Sequence, residues 1–257
     1  MTPISRVALV TGASRSIGIG AAICRALAGQ GFDIAFTHWQ PYDALMTWGV
    51  DHDAPAVLAA ELRGAGVRTL ALEVDLTQPE SVNSLLDAVE VQLGPISVLV
   101  NNATYSTNGG YDVLDAAALD AHYAVNMRGT FLLSVAFARR FKVGLGGRII
   151  NLTSGQSLGP MPDELAYAAT KGAVEAFTLA LAAGVAKLGI TVNAVDPGPT
   201  DTGWMGEALK HELSQRTPAG RVGLPQDAAR LVAFLASEEA AWITGQVIHS
   251  NGGFGWA

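Results

Sequence analysis

The sequence is poor in cysteine and in charged residues. Its one cysteine, Cys24, excludes an internal disulfide and a metal site built from several cysteines. Only 15% of the 257 residues are charged, and 16 Lys and Arg against 23 Asp and Glu leave a net charge of −7. Because nucleic acid and anionic membranes attract cationic surfaces, we expect neither as a partner. No run reaches the ~18 consecutive apolar residues of a membrane span, so we expect no membrane segment.

Metal-ligand spacing, interdomain linkers and a targeting leader are also lacking. His52, His122, His211 and His249 show no metal-ligand spacing, so we expect no metal. No Pro/Ser-rich stretch divides the chain, which predicts one domain over residues 1–257. The first residues lack a cationic leader followed by a long apolar core, so we expect a cytoplasmic protein.

What the chain does have is an alternation of two hydrophobic patterns. Short β-rich runs lie at 6–11, 32–37, 69–74, 97–101, 148–152, 191–195 and 246–249. Longer Ala- and Leu-rich segments with helical spacing lie at 18–30, 55–64, 79–93, 116–141, 164–188 and 225–237. Because strands that alternate with helices pair in parallel through right-handed crossovers, we predict an α/β fold. It has one doubly wound parallel sheet of about seven strands, with helices on both faces.

Proline and glycine mark the ends of the predicted helices. Pro79 and Pro225 are expected in first helical turns, where the missing N–H of proline has no helical partner to lose. Glycines that follow helices are expected to adopt the left-handed conformation that stops them, and these are Gly31, Gly66, Gly94 and Gly189.

Two stretches, 38–54 and 198–224, do not fit the repeat. The first is long for a connection between a strand and a helix, and such loops are usually functional or disordered. Its large side chains are Trp39, Tyr42, Met46 and Trp48. We leave open whether it covers a ligand, packs on another subunit or forms a locally packed hydrophobic loop.

A glycine-rich turn, Thr11 to Gly20, joins the first predicted strand to the first predicted helix. Glycine lets backbone amides approach a pyrophosphate at a helix N-terminus, where the helix dipole favours negative charge. The strand–turn–helix context strengthens this prediction of a dinucleotide site. The alternative is a tight turn without a ligand.

Polar residues with catalytic chemistry follow the fifth strand. Tyr167 and Lys171 are four residues apart, so a helix places both side chains on one face. Ser154 comes just past the strand at 148–152, at the strand end where ligands bind in open α/β sheets. Asn126 lies within a helical pattern, where a polar residue is either functional, a satisfied core group or a kink.

Taken together, these motifs give a specific resemblance. The sequence resembles the short-chain dehydrogenase/reductase family over nearly its full length, which implies a Rossmann-type fold. The matching pieces, in chain order, are Thr11-Gly12 to Gly18, Asp75-Leu76, Asn101-Asn102-Ala103, Asn126, Ser154, Tyr167 to Lys171, Pro197-Gly198, Thr202 and Ile243 to Gln246. The last third most resembles the 3-oxoacyl-(acyl carrier protein) reductase branch.

The resemblance implies hydride transfer between a nicotinamide and a carbonyl or alcohol carbon, with Tyr167 as the proton donor. A free phenol titrates near ~10, so work near neutral pH needs a downward shift of about two to three pKa units. Lys171 and the nicotinamide charge have the sign for that shift, and Lys171 is also expected to hold the ribose hydroxyls. Ser154 is expected to orient the substrate oxygen. Asn126 is expected to hold a water that joins Lys171 to solvent.

The resemblance also implies a cofactor pocket. The pyrophosphate turn is expected to use Gly12, Ser14, Ile17 and Gly18. Asp75 and Leu76 are expected beside the adenine, and Asn102 and Ala103 under the cofactor. Near the nicotinamide amide and the phosphates we expect Pro197, Gly198 and Thr202.

Two residues depart from the family pattern. Ser16 stands where the family usually has its second motif glycine, and a positive φ there would be costly because serine has a Cβ. Cofactor affinity is therefore expected to be lower. Thr104 replaces the glycine that usually follows Asn102-Ala103, and we expect it to reshape the floor of the nicotinamide site.

Cofactor choice depends on the end of the second strand. NAD enzymes need a carboxylate there for the ribose hydroxyls, but the sequence offers no acid until Asp43. Arg15 has the chemistry to pair with a 2′-phosphate, and His38 to assist it. The sequence therefore favours NADP(H) and leaves NAD(H) open. The alternative for Arg15 is a solvated loop charge.

The substrate side is expected to use 154–163 and 198–224, with Gln156, Trp204 and Met205 as candidate contacts. These residues favour a partly apolar small ketone or 3-oxo compound. Leu132 and Ala183 stand where the family's carrier-protein reductases place arginines, which makes an acyl carrier protein a doubtful partner. The resemblance also implies a homotetramer.

Two other functions remain open from the sequence. One is NAD-linked oxidation of a secondary alcohol. The other is a nucleotide-binding protein that has kept the fold and lost catalysis, as the changes at Ser16 and Thr104 allow.

Overall fold

The computed structural model describes residues 6–142 and 146–255, so residues 1–5, which bear on the expected lack of a leader, lie outside it. Seven parallel strands form one sheet in the order β3-β2-β1-β4-β5-β6-β7, which confirms the predicted fold class. The strands are β1 Val7–Val10, β2 Asp33–His38, β3 Thr69–Glu73, β4 Ile96–Asn101, β5 Gly147–Leu152, β6 Ile190–Asp196 and β7 Val247–His249.

Helices connect the strands and cover both faces of the sheet. They are α1 Ile19–Ala28, α2 Gln40–Asp43, α3 Ala54–Gly64, α4 Ser81–Gln92, α5 Ala116–His122, α6 Thr130–Arg140, α7 Leu165–Val185, α8 Glu207–Arg216 and α9 Pro225–Ala236. One face buries α1, α3 and α9, and the other buries α4, α6 and α7. All four residues of β1 are fully buried, as a strand between two helical layers requires.

Two expectations about helices needed correction. The segment at 116–141 is interrupted by a π-helix at Tyr123–Gly129, which carries Asn126 inward between α5 and α6. Pro79 lies before α4, because that helix begins at Ser81 with Glu80 as its N-cap. Pro225, by contrast, is the first residue of α9, as predicted. The short helices α2 and α8 lie in the two stretches that did not fit the repeat.

The predicted glycine stops are confirmed. Gly31, Gly66, Gly94 and Gly189 all have positive φ, between 74° and 105°. No Cβ clash is found at these four positions, so the backbone conformation alone explains the preference for glycine.

The long helix α7 with the short turn after it, Leu165–Leu188, is long and apolar enough to cross a membrane by length and composition alone. Core helices pass the same test. Here α7 packs against β6 and buries Lys171 on its inner face.

The order of the strands fixes where a ligand binds. Chain connections run outward in both directions from β1 and β4, so the crossovers diverge between these two neighbouring strands. Ligands of open α/β sheets bind outside the carboxyl ends of the strands at such a point.

Candidate active site

A cleft of about 1470 Å³ lies at the carboxyl ends of the strands. Ligand pockets usually measure about 300–1,000 Å³, so this cleft has room for a dinucleotide and a second small molecule. Most of the predicted site residues line it, namely Gly12, Ser14, Arg15, Gly18, His38, Asp75, Leu76, Asn102, Ala103, Ser154, Tyr167, Pro197, Gly198, Thr202 and Trp204. The residues Ser16, Ile17, Asn126, Gln156, Lys171 and Met205 are not among its lining.

The first turn of the cleft is built by close contact between two backbones. Gly12 has φ +74°, and a Cβ on it would lie 2.6 Å from the Cα of Ala103. The Asn102 side-chain nitrogen donates to the carbonyls of Thr11 and Gly12, at 2.9 and 2.8 Å. The Thr11 hydroxyl accepts from the backbone N–H groups of Asn102 and Ala103. Asn102 and Ala103 thus lock the turn onto β4.

Ser16 adopts no strained backbone conformation. Among the described residues, positive φ occurs only at glycines, so the expected cost of a Cβ at Ser16 does not arise. Sequence reasoning missed the position that does need glycine. A Cβ on Gly20 would lie 2.5 Å from the Gly12 carbonyl oxygen and 2.7 Å from the Asn102 side-chain nitrogen.

Ser154, Tyr167 and Lys171 are brought together between β5 and α7. Ser154 and Tyr167 both line the cleft, where hydrogen bonding by Ser154 lowers the pKa of the Tyr167 hydroxyl. Lys171 is buried, and its Nζ lies 5.5 Å from the centroid of the Tyr167 ring and donates to the Leu152 carbonyl at 2.8 Å. The helical spacing of Tyr167 and Lys171 therefore places both beside the end of β5.

Burial shifts the two ionisable groups of this set in opposite directions. The pKa of the Tyr167 phenol is raised above its usual value, mainly by burial and against the effect of the bond from Ser154. Burial lowers the pKa of Lys171 to about 8. Burial therefore opposes the lowering of the Tyr167 pKa that the family resemblance implies, and it keeps this phenol neutral at neutral pH.

Asn126 makes four hydrogen bonds with its side chain, which is the full number that an amide offers. Its Oδ1 accepts from the Thr104 hydroxyl at 3.1 Å and from the Tyr105 backbone N–H at 2.8 Å. Its Nδ2 donates to the Tyr105 carbonyl at 2.9 Å and to the Thr170 hydroxyl at 3.0 Å. The relay water implied by the family resemblance therefore has no free side-chain atom of Asn126 to bind.

Thr104 supports Asn126 through that same hydrogen bond. Its Oγ1 donates to the amide oxygen, so the side chain that replaces glycine is tied to the π-helix. It also lines the cleft, as expected for a residue of its floor.

At the opposite end of the cleft lie Arg15 and His38. Arg15 donates from Nη2 to the Thr202 carbonyl at 2.6 Å, and its guanidinium lies 4.5 Å from the centroid of the Trp48 ring. Burial lowers the pKa of Arg15, and the Asp43 carboxylate opposes the shift. Arg15 is therefore not a solvated loop charge. The Nδ1 atom of His38 is buried without a hydrogen-bond partner among the described residues.

Residues 39–48, which we name the strap, line the cleft beside Arg15. The Ser14 hydroxyl accepts from the Trp39 N–H at 3.0 Å, and hydrogen bonding by Ser14 lowers the pKa of the buried Asp43 carboxyl against the larger effect of burial. The indole N–H of Trp48 donates to Asp43 at 2.9 Å. Of the three alternatives left open for 38–54, the structure supports the first, a segment placed over the ligand cleft. The signal in the sequence was the density of aromatic residues after the second strand.

The 197–204 loop is anchored from below by Asp196. This fully buried carboxylate accepts from the Gly198 N–H at 2.9 Å and lies 2.8 Å from the His249 Nδ1. A Cβ on Gly198 would lie 2.4 Å from the Asn251 Cβ, so glycine is required there. In the described residues no group of three or more metal-ligand side chains is found.

On the substrate side the structure brings in one of the three predicted contacts. Trp204 lines the cleft and donates from its indole to the Thr200 carbonyl at 3.0 Å. Gln156 instead donates to Glu175 at 2.6 Å, so its side chain is held toward α7. Met205 is 6% exposed and packs with Leu213, so both predictions need correction.

Fold and site together are those of a nucleotide-binding oxidoreductase of the α/β type, with a glycine turn at the switch point, Ser154 and Tyr167 in the lining of the same cleft and Lys171 buried behind Tyr167. A family model described as Enoyl-(Acyl carrier protein) reductase matches residues 12–255.

Three individual proteins are similar over nearly their whole length. An uncharacterized oxidoreductase of Bacillus subtilis, YjdA, is 53% identical, covering 97% of this chain and 96% of the relative. An NADPH-dependent aldehyde reductase-like protein from the chloroplast of Arabidopsis thaliana is 38% identical, covering 97% and 94%. A blue fluorescent protein from a metagenomic library, solved in complex with NADPH, is 35% identical with a TM-score of 0.87, covering 97% of each chain.

The chain belongs to the short-chain dehydrogenase/reductase family. It is an oxidoreductase, an enzyme that acts on CH–OH or C=O groups with NAD(P). This finding favours catalysis over the non-catalytic alternative.

Proposed function

We propose that the protein reduces a ketone or 3-oxoacyl-type carbonyl to the alcohol, with NADPH as the reductant and Tyr167 as the proton donor. The observation that carries the proposal is that Ser154 and Tyr167 line the same cleft, with the Nζ of the buried Lys171 lying 5.5 Å from the centroid of the Tyr167 ring. Because burial raises the pKa of Tyr167, the phenol carries its proton at neutral pH, and the positive charges of Lys171 and of the nicotinamide would have to lower that pKa for efficient proton donation.

The cleft has the features that a dinucleotide needs. The close backbone approach at Gly12 leaves no room for a Cβ, and the N-terminus of α1 begins next to this turn. Gly12, Ser14 and Gly18 would hold the pyrophosphate end, and Asn102 with Ala103 the nicotinamide end. When bound, the reduced nicotinamide supplies the hydride.

The protein's own residues orient the carbonyl and deliver the proton. The Ser154 hydroxyl holds the carbonyl oxygen beside the Tyr167 hydroxyl, because both side chains line the same cleft and Ser154 is close enough to lower the pKa of Tyr167. Tyr167 then donates its proton to the oxygen as the carbonyl is reduced. The ammonium of Lys171, 5.5 Å from the Tyr167 ring, stabilises the phenolate that remains.

Preference for NADPH is the finer part of the proposal. The unpartnered His38 Nδ1 and the Arg15 guanidinium both belong to the cleft at the end of β2, where a 2′-phosphate would need donors. One observation favours the NAD alternative. The Asp43 carboxyl hydrogen-bonds to Ser14 and so stands next to the turn, where it would accept from ribose hydroxyls.

Calorimetric titration with NADPH and with NADH, at one ionic strength, tests this preference. We expect tighter binding of NADPH by at least about tenfold, and a smaller ratio for Arg15→Ala, because a charge-assisted bond to phosphate contributes about that much. Asp43→Asn is the matched comparison, and this variant should still bind NADPH more tightly than NADH. Tighter binding of NADH, lost in Asp43→Asn, would contradict the proposal and favour an NAD-dependent secondary-alcohol dehydrogenase.

The proposed partner is a free small molecule. Leu132 and Ala183 are exposed apolar residues, so they cannot form ion pairs with an acidic carrier protein. Arg140, a nearby cation, is paired with Asp87 at 2.6 Å. A carrier-linked substrate therefore has little support.

We also propose a homotetramer in the cytoplasm. The rings of Phe131 and Phe177 stack at 3.9 Å and join α6 to α7. Beside them Leu132 is 42% exposed and Leu179 is 65% exposed. An apolar helix pair of this kind supports association with another copy.

A further inference from the structure

The strap carries an aromatic side chain across the cleft to the loop that follows β4. The Tyr42 hydroxyl donates to the Ser106 carbonyl at 3.1 Å. Its ring lies 5.4 Å from the Tyr105 ring, centroid to centroid, within the range of a favourable aromatic pair. Tyr42 thus links the strap to the loop that follows β4.

The strap end of this link is held rigidly. Trp48 lies 6.4 Å from Tyr42 in an edge-on arrangement, and its indole N–H donates to Asp43. The Arg15 guanidinium covers the Trp48 ring, and Arg15 in turn is bonded to the Thr202 carbonyl. The Tyr42 and Trp48 rings are therefore held in place by Arg15 of the first turn, which is itself bonded to the 197–204 loop.

The other end is equally well held. The backbone N–H and carbonyl of Tyr105 are both bonded to Asn126. Its ring meets His122 edge-on at 4.9 Å. Tyr42 and Tyr105 consequently form a preorganised aromatic wall rather than two mobile side chains.

This wall lies close to the reacting groups. Tyr42 and Tyr167 line the same cleft, and Tyr105 is bonded to Asn126, whose amide nitrogen also donates to Thr170, the residue before Lys171. Across the cleft lie the apolar side chains of Leu158, Met161 and Trp204. A carbonyl held by Ser154 would therefore have flat aromatic faces and aliphatic groups around its substituents.

Charge at the rim disfavours anionic substrates. Asp163 and Glu164 both line the cleft. Burial, together with the nearby Asp163, raises the pKa of Glu164. A carboxylate or phosphate next to Glu164 would be repelled by these two acids, although the lining of the cleft also includes Arg15 and Arg216.

We propose that Tyr42 is a specificity-determining residue, and that the wall it forms with Tyr105 selects neutral carbonyl compounds that carry an aryl ring next to the C=O group. The proposal rests on the proposed function, since it names the substrate class of the same site. It assigns the strap to the substrate as well as to the cofactor.

The test compares an aryl ketone with an aliphatic one. The initial rate of NADPH oxidation is measured with acetophenone and with butan-2-one, for the wild type, Tyr42→Ala and Tyr42→Phe. The Tyr111→Ala variant is the matched control, because Tyr111 is a tyrosine that is 92% exposed. NADPH affinity of each variant is measured by fluorescence titration.

We expect the wild type to prefer acetophenone, and Tyr42→Ala to lose about tenfold in kcat/KM for acetophenone but less than about twofold for butan-2-one. Tyr42→Phe should keep most of the aryl preference, since it keeps the ring. Equal losses with both ketones, or a loss of NADPH affinity that accounts for the change, would overturn the proposal and leave the proposed function standing. A wild type that binds NADPH yet reduces no carbonyl would overturn the proposed function as well.

Discussion

Tyr167→Phe is expected to lower kcat for carbonyl reduction by about 10³-fold while leaving NADPH affinity unchanged. A positioned general acid contributes about 10²–10⁴-fold, and the variant removes only the hydroxyl that carries the proton. The ring, its place on α7 and the burial of Lys171 are retained. Steady-state rates at saturating NADPH, together with a calorimetric Kd, measure the two quantities separately.

Ser154→Ala serves as the comparison for this variant. It removes the hydrogen bond to Tyr167 but leaves the acid in place, so we expect a smaller loss than for Tyr167→Phe. A Tyr167→Phe enzyme within about tenfold of the wild type would show that another group delivers the proton.

Lys171→Met is expected to abolish most activity and, at the same time, to stabilise the fold near neutral pH. Burial lowers the pKa of Lys171 from 10.5 to about 8, so the folded state disfavours the charge that the unfolded chain carries freely. At about 1.36 kcal/mol per pKa unit, the buried charge of Lys171 lowers the free energy of unfolding below pH 8 by on the order of 3 kcal/mol. Lys171→Met removes this cost but also loses the hydrogen bond to the Leu152 carbonyl, so we expect a net increase of about 2 kcal/mol in the free energy of unfolding.

The stabilisation expected for Lys171→Met depends on pH. Between the folded pKa of about 8 and the ordinary value of 10.5, the unfolded chain binds more protons, so the contribution of Lys171 to stability rises with pH. The advantage of Lys171→Met should therefore be full below that window and shrink across it. Urea unfolding of both proteins, below and above the window, measures the change.

Lys187→Met is the matched control, because Lys187 is exposed on the turn after α7. It should change the free energy of unfolding by less than about 0.5 kcal/mol. A Lys171→Met protein that is less stable than the wild type at neutral pH would contradict the account of a costly buried ammonium.

The sheet and its helices were predictable because each strand is marked by a local pattern. Runs such as Val7–Val10 are apolar at every position, and that suits only a strand covered on both faces. Helix ends marked by left-handed glycines were also predictable, since Gly31 or Gly189 needs no tertiary partner to adopt positive φ. These features depend on neighbours in sequence.

The interruption at Tyr123–Gly129 was not predictable in the same way. Its inward residue, Asn126, is stabilised by the backbone of Tyr105 and by Thr170, which are distant in sequence. The helical pattern of 116–141 continues through the segment and conceals the change. Only the tertiary bonds explain it.

The substrate side shows the same limit. Gln156 follows Ser154 closely and was expected to face the cleft, but the carboxylate of Glu175 holds it on α7. Met205 follows Trp204, yet the two side chains have different environments, one in a small core and one in the cleft. Nearness in sequence to a site residue did not determine which side a residue faces.

The strap was recognised as an anomaly, but its role was not. The aromatic residues of 38–54 predicted burial, while the partners that fix the strap, Arg15 and Ser106, come from other loops. Asp43 was noted only as the first acid after β2. Its bonds to Ser14 and Trp48 depend on the folding of the strap into the cleft.

The central claim is that the enzyme transfers hydride to a carbonyl carbon while Tyr167 protonates the oxygen. The most direct measurement is a reaction of the wild type with a ketone and NADPH deuterated at the transferable C4 position, followed by mass spectrometry of the product. The account predicts an alcohol that carries deuterium on its carbinol carbon, and no such product from Tyr167→Phe on the same time scale. NADPH binding without any deuterated alcohol from the wild type would contradict it.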